Sequence, residues 1–139
     1  MQKRCARLIL DAKFSDNFVK LFTKLGWLPI DDIIRSRKLD LLHKIRFGHC
    51  PDYFIPYIHY LKDTHSYNTK ATTKYNLVIP KCKRVSGCRT FHTSATRLWN
   101  NVDVSIRDTT LHKQFTAKVR QKLLKQNATL EHFVISSTF

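Results

Sequence analysis

The chain has 139 residues and a mass of 16.4 kDa, enough for one small domain with a single core, and 42% of its residues are apolar. Its 25 Lys and Arg against 10 Asp and Glu give a formal charge of +15 and a pI of about 10.0, so nucleic acid is the first expected partner and an anionic membrane surface the second. No apolar run approaches the roughly 20 residues of a membrane span, and Asp11 cuts off the Leu8-Ile9-Leu10 patch well short of a signal sequence. Cys5, Cys50, Cys82 and Cys88 then read as reduced thiols of a nuclear or cytoplasmic protein that is not secreted.

From Gln2 to Ala12 the apolar positions Cys5, Leu8, Ile9 and Ala12 recur at helical spacing, with Lys3, Arg4 and Arg7 turned away and Arg7 to Asp11 a candidate i,i+4 pair. No capping residue precedes this helix, which suggests a fragment of a longer chain. Ser15 or Asp16 is expected to cap a second helix through Phe18, Val19, Phe22 and Leu25, stopped by Gly26. Pro29 suits the first position of a third helix, and Asp31 and Asp32 complement its dipole. Ile30, Ile33, Ile34, Leu41, Leu42 and Ile45 form its expected buried stripe. A short fourth helix is expected from Asp52 to about Tyr60.

The pattern then changes. Tyr75-Asn76-Leu77-Val78-Ile79-Pro80 reads as a strand, paired in one β-hairpin with a second strand at Cys88 to His92. Ser94 is expected to cap the Leu98-Trp99 helix, and Thr109 a final helix with Leu111, Phe115, Val119 and Leu123 on one side. The expected fold is therefore mainly α: about five or six helices and one short hairpin, sharing a core of Trp27, Leu41, Leu42, Trp99 and Phe115. Residues 1–124 form the domain, and 125–139 are a tail of unassigned structure.

Catalytic and metal chemistry find little support. Cys82, Cys88 and His92 lie close in sequence, but zinc sites usually show two tight ligand pairs, so neither a metal nor another cofactor is expected. Adjacent His49 and Cys50 diverge along the backbone, and Asp31-Asp32 is explained by the helix start. The chain has three glycines and no Gly-rich phosphate loop. The basic clusters QKRCAR, RSRK, KCKRVSGCR and KVRQKLLK are the stronger signal. Arg4, Arg7, Lys83, Arg84, Arg89, Arg97 and Arg120 are the expected phosphate contacts, with Lys81, Lys83, Arg84 and Arg89 on a basic connection between the strands. Tyr67, Tyr75 and Phe91 are candidate base-stacking rings, though aromatic residues beside a strand more often belong to a core.

Several segments together carry a resemblance. They are QKRCARLIL, LFTKLGWLPIDDIIRSRKLDLLHKIRFGHCPDYF, HSYNTK and GCRTFHTSATRLWNNVDVSIRDTTLHKQFTAKVRQKLL. From about Gln2 to Leu124 the chain resembles the region downstream of the polymerase in reverse transcriptases of non-LTR (LINE-type) retrotransposons. The resemblance rests on Lys3, Arg4 and Arg7, the turn from Leu25 to Pro29, the Lys38 to Leu42 helix and His65 to Lys70. It continues through Gly87, Arg89, Phe91, Leu98-Trp99-Asn100, Ile106-Arg107 and the Phe115-bearing basic helix. Two positions depart from the pattern: Val102-Asp103-Val104-Ser105 stands where a proline is common after Leu-Trp-Asn, and Ala95 where a glycine is often seen.

The Tyr-x-Asp-Asp polymerase signature is absent, as are endonuclease residues, so the resemblance implies an accessory piece with no catalytic residue of its own. It implies RNA or DNA as partner and the parent polymerase domain as a further one, without a membrane or small-molecule substrate. The expected function is nucleic-acid backbone binding. The alternatives are a helical module bracing the polymerase thumb, or a retroelement remnant with no selected role. An exposed apolar patch would favour the bracing module, and a contiguous basic face without one would favour nucleic-acid binding.

Overall fold

A computed structural model describes residues 1–64 and 75–136, with side chains throughout except at 128 and 130–136. The expected role of Tyr67 and the His65 to Lys70 motif lie outside the described residues. The chain is mainly helical: among the described residues there are eight α-helices and one 3₁₀ helix, and no strand. In chain order these are α1 (Gln2–Leu10), α2 (Phe18–Leu25), α3 (Ile30–Arg46), the 3₁₀ helix (Asp52–Tyr57) and α4 (Leu61–Thr64). α5 (Val85–Arg89), α6 (Phe91–Asn100), α7 (Val104–Arg107) and α8 (His112–Ser136) follow. They fall into two compact units, one of Met1–Ser36 with the chain from Ala117 onward, the other Arg37–Thr116.

In the first unit α1 packs on α2, and the fully buried Ala6 is small enough to admit Leu21 and Phe22 against it. Asn17 caps α2, its Oδ1 accepting from the Val19 amide at 2.9 Å. The expected caps miss by one or two residues because Asp16 is engaged elsewhere, accepting from the Lys13 amide at 2.9 Å. Gly26 ends α2 with φ 62°, a conformation that favours glycine. The turn beyond it brings the Trp27 amide to the Phe22 carbonyl at 2.8 Å and the Trp27 ring against the Phe22 ring. Val119 and Leu123 of α8 are also buried in this unit.

The core of the second unit is built on Trp99 and Phe115, both about 1% exposed, with their rings 6.1 Å apart. His43, fully buried, stacks on Phe115 at 4.2 Å. Leu39, Leu42, Ile45, Leu77, Ala95 and Val102 complete the apolar set. Trp27 thus packs in the first unit and Trp99 in the second, and Leu41 is only half-buried.

The β-hairpin does not form. Leu77 makes a single antiparallel bridge to Tyr60, with the Leu61 amide on the Asn76 carbonyl at 2.9 Å and the Val78 amide on the His59 carbonyl at 2.8 Å. Both backbone groups of Leu77 are taken by one side chain: Asn100 Oδ1 accepts from its N–H at 2.8 Å, and Asn100 Nδ2 donates to its carbonyl at 2.9 Å. A second strand would need those same groups. The expected partner, Cys88 to His92, instead spans the end of α5, the break at Thr90 and the start of α6, a helix whose buried Thr93, Thr96 and Trp99 recur at three-residue intervals.

Other boundaries shift for equally local reasons. Ser94 lies inside α6, where it accepts from Lys38 Nζ at 2.8 Å. Thr90 is the residue before that helix. Thr109 is buried three residues before α8 begins, so it does not cap that helix, and Leu111 is exposed. On α3, Ile30 and Ile34 face water while Asp32, Asp40 and His43 are buried. Each of these side chains has at least one partner: Asn127 donates to Asp32 at 2.8 Å, Asp40 contacts His112 and Thr116, and His43 Nε2 reaches the Thr109 carbonyl at 2.8 Å. The expected fourth helix, Asp52 to about Tyr60, forms as the 3₁₀ helix Asp52–Tyr57, α4 follows beyond it, and α8 continues through Lys125 to Ser136.

Candidate nucleic-acid interface

The 39 residues from Thr64 to Val102 contain seven Lys or Arg and no Asp or Glu. Within this stretch Lys83 and Arg84 immediately precede α5, and Arg89 is its last residue. Arg97 follows on α6, with Nη2 4.0 Å from Cys88 Sγ. All four side chains are exposed, and none takes part in the ion pairs found among the described residues. The expected basic loop therefore keeps Lys83 and Arg84 outside helix and leads into α5, which carries Arg89. Gly87 of α5 faces Cys82, and a Cβ there would stand 3.5 Å from Cys82 Cβ and 3.6 Å from its Sγ, ordinary contact distances.

The remaining predicted contacts belong to the first unit and are placed differently. Arg4 is exposed on α1. Arg7 is half-buried with its guanidinium 4.7 Å from the Phe14 ring centre, and Lys3 sits 3.9 Å over Phe18. Those cations lie on the unit's own aromatic rings. Arg120 is exposed on α8 and donates to the Gly26 carbonyl at 3.1 Å. The same unit leaves Leu8 76% and Ile9 59% exposed, with Phe14, Ile30 and Ile34 also facing water. A cavity of about 450 Å³ lined by Phe18, Phe22, Trp27, Leu124 and Lys125 opens there too.

Cys82, Cys88 and His92 have separate partners. Cys82 Sγ lies 3.2 Å from Thr93 Oγ1, and the His92 ring meets the edge of Tyr57 at 6.4 Å. Among the described residues no three His, Cys, Asp or Glu are grouped to hold a metal ion, and no helix is long and apolar enough to cross a membrane.

Sequence reasoning missed three groups in the second unit. Arg46 donates through Nη1 to the Arg107 carbonyl at 2.8 Å and lies over Tyr75 at 4.8 Å and Trp99 at 5.8 Å. Arg107, 2% exposed, donates through Nη1 to Asn76 Oδ1 at 2.6 Å, while its Nε has no hydrogen-bond partner among the described residues. Burial pulls the Arg107 pKa down, partly offset by Asp108 and Asp103. His43 must carry its proton on Nε2, because a carbonyl only accepts, and its buried Nδ1 has no hydrogen-bond partner among the described residues. Burial lowers its pKa, with the Thr109 carbonyl opposing and His112 and Arg46 reinforcing the shift. Arg46 and His43 carried no signal in the sequence, and Arg107 stood out only within the Ile106-Arg107 pair of the resemblance.

Compared with models of known protein families, with curated proteins and with solved structures, the chain matches none.

Proposed function

We propose that this chain is a non-catalytic accessory domain that binds the phosphate backbone of RNA or DNA, descended from the region downstream of the polymerase in a non-LTR retrotransposon reverse transcriptase. The carrying observation is the exposed set Lys83, Arg84, Arg89 and Arg97, without an ion pair among the described residues, in a stretch free of carboxylates. Such cations gain by displacing counterions from a polyanion, which gives affinity without base readout.

The test is a salt titration of the purified chain with labelled single-stranded RNA, double-stranded RNA and DNA. Binding is expected to persist near physiological salt. Replacing Lys83 and Arg84 together by alanine is expected to weaken it alike for all sequences and flatten the salt slope by about two units. Binding that vanishes below that salt, or an unchanged slope in the variant, removes this reading.

A second reading is supported by a separate observation. Leu8, Ile9 and Phe14 form exposed apolar surface on the first unit, as a module that braces a neighbouring polymerase domain would carry. Loss of all polyanion binding at physiological salt, with retained binding to the parent polymerase domain, would favour it.

A further inference from the structure

Tyr75 is held in a conformation that bulky residues avoid. Its φ is 52°, in the left-handed region, a conformation that surrounding structure must over-determine. The restraints lie in the next two residues. Asn76 receives the buried Arg107 on its side chain and the Leu61 amide on its carbonyl, and Leu77 is clamped on both backbone groups by Asn100. The clamped segment therefore sets where Tyr75 stands. The ring does not go into the core: Tyr75 is 39% exposed, with Arg46 Cζ 4.8 Å and Lys62 Nζ 5.4 Å from its centre.

These two cations differ. Arg46 is fixed by the Arg107 carbonyl and one edge contact to Asp108 at 3.5 Å. Lys62 is exposed and lies near the Tyr60 and Tyr75 rings with no ion pair among the described residues, so its flexible stem can swing to an anion. The carboxylates in the neighbourhood are Asp63, Asp103 and Asp108, and the last two act on the buried Arg107. Upstream, Lys70 and Lys74 precede Tyr75 in the carboxylate-free stretch.

We propose that Tyr75, Arg46 and Lys62 form a subsite for one nucleotide of a single strand, its phosphate on Arg46 and Lys62 and its base on the Tyr75 face that Lys62 vacates. This rests on the nucleic-acid reading above and adds a base-dependent contact to it. A π-face stacks on any base, so the subsite distinguishes strands that offer an unstacked base from those that do not, without reading sequence.

The experiment uses the full chain and two labelled single strands of equal length, oligouridine RNA and its abasic ribose-phosphate counterpart, read by fluorescence anisotropy. The wild-type chain is expected to prefer the base-bearing strand by about ten-fold, within the range for one stacked base. Tyr75→Asn should abolish that preference while leaving the urea midpoint unchanged or raised, because asparagine tolerates a positive φ. Lys62→Gln should weaken both strands and lower the salt slope by about one.

A Tyr75→Asn chain that keeps the preference overturns the subsite. So does one that loses it only by unfolding, which would make the cation–aromatic cluster a brace. Equal wild-type affinity for the two strands overturns the subsite but leaves backbone binding intact. No binding to either strand at physiological salt overturns both.

Discussion

In the first unit Ala6, Leu21 and Phe22 meet directly, and Lys3 and Arg7 lie over that unit's own phenylalanines, while Leu8 and Ile9 face water. In the second, Trp99 and Phe115 share the core with buried Thr93, Thr96, His43 and Arg107, whereas Lys83, Arg84, Arg89 and Arg97 face water with no ion pair among the described residues. The contrast separates two ways of using charge. A cation laid over an aromatic ring has part of its field already answered, whereas an exposed cation without a carboxylate is available to a polyanion. Counting basic residues in the sequence gives Arg7 and Arg84 equal weight, and their surroundings do not.

The largest effect expected from breaking this contrast is in the second core. Trp99→Ala should cost about 3–5 kcal/mol in urea denaturation, the range for truncating a large buried aromatic residue. Asn100→Leu comes next, at about 1–3 kcal/mol, because the Leu77 amide and carbonyl lose their partners inside the fold. The Leu77 amide should then exchange hydrogen faster than its neighbours on α6. A protected Leu77 in that variant would show that the clamp is dispensable.

Acid should weaken the second unit through His43. Its folded-state pKa lies below the ordinary 6.5, so the unfolded chain takes up the proton first. The contribution is fully present above about pH 6.5 and is lost as pH falls through the lowered value. Comparing urea midpoints at pH 7.5 and 5.5 tests this, and His43→Gln, which can still donate to the Thr109 carbonyl, should shrink the difference. Last and smallest, Leu8→Lys with Ile9→Lys should change stability by no more than about 0.5 kcal/mol. It should nevertheless abolish any self-association seen by sedimentation, and no change there would count against an adhesive first unit.

Much of the helical layout was legible because its signals are local. Gly26 stops α2 as expected, Pro29 precedes α3, and Phe115, Val119 and Leu123 line α8. α4, α5 and α7, of four or five residues each, were not legible, since one turn is too short to show a period. The basic residues Lys83, Arg84 and Arg89 stood out from charge alone, although as part of a connection between strands, and Arg97 as a cation on the helix that follows. Arg46, Arg107 and His43 were not, because each owes its role to residues about 60 positions away or to a clamped segment elsewhere.

By itself the sequence determined that this chain is mainly helical and strongly cationic, because apolar period and net charge are properties of composition and order. Only the tertiary structure decided that Asn100 would occupy the backbone of Leu77 and exclude a hairpin, and that α3 would bury Asp40 and His43 while exposing Ile30 and Ile34. Local propensities differ by a fraction of a kcal/mol per residue, whereas an unpaired buried polar group costs several times that. Once a distant carbonyl or amide can satisfy such a group, its burial outweighs the local pattern.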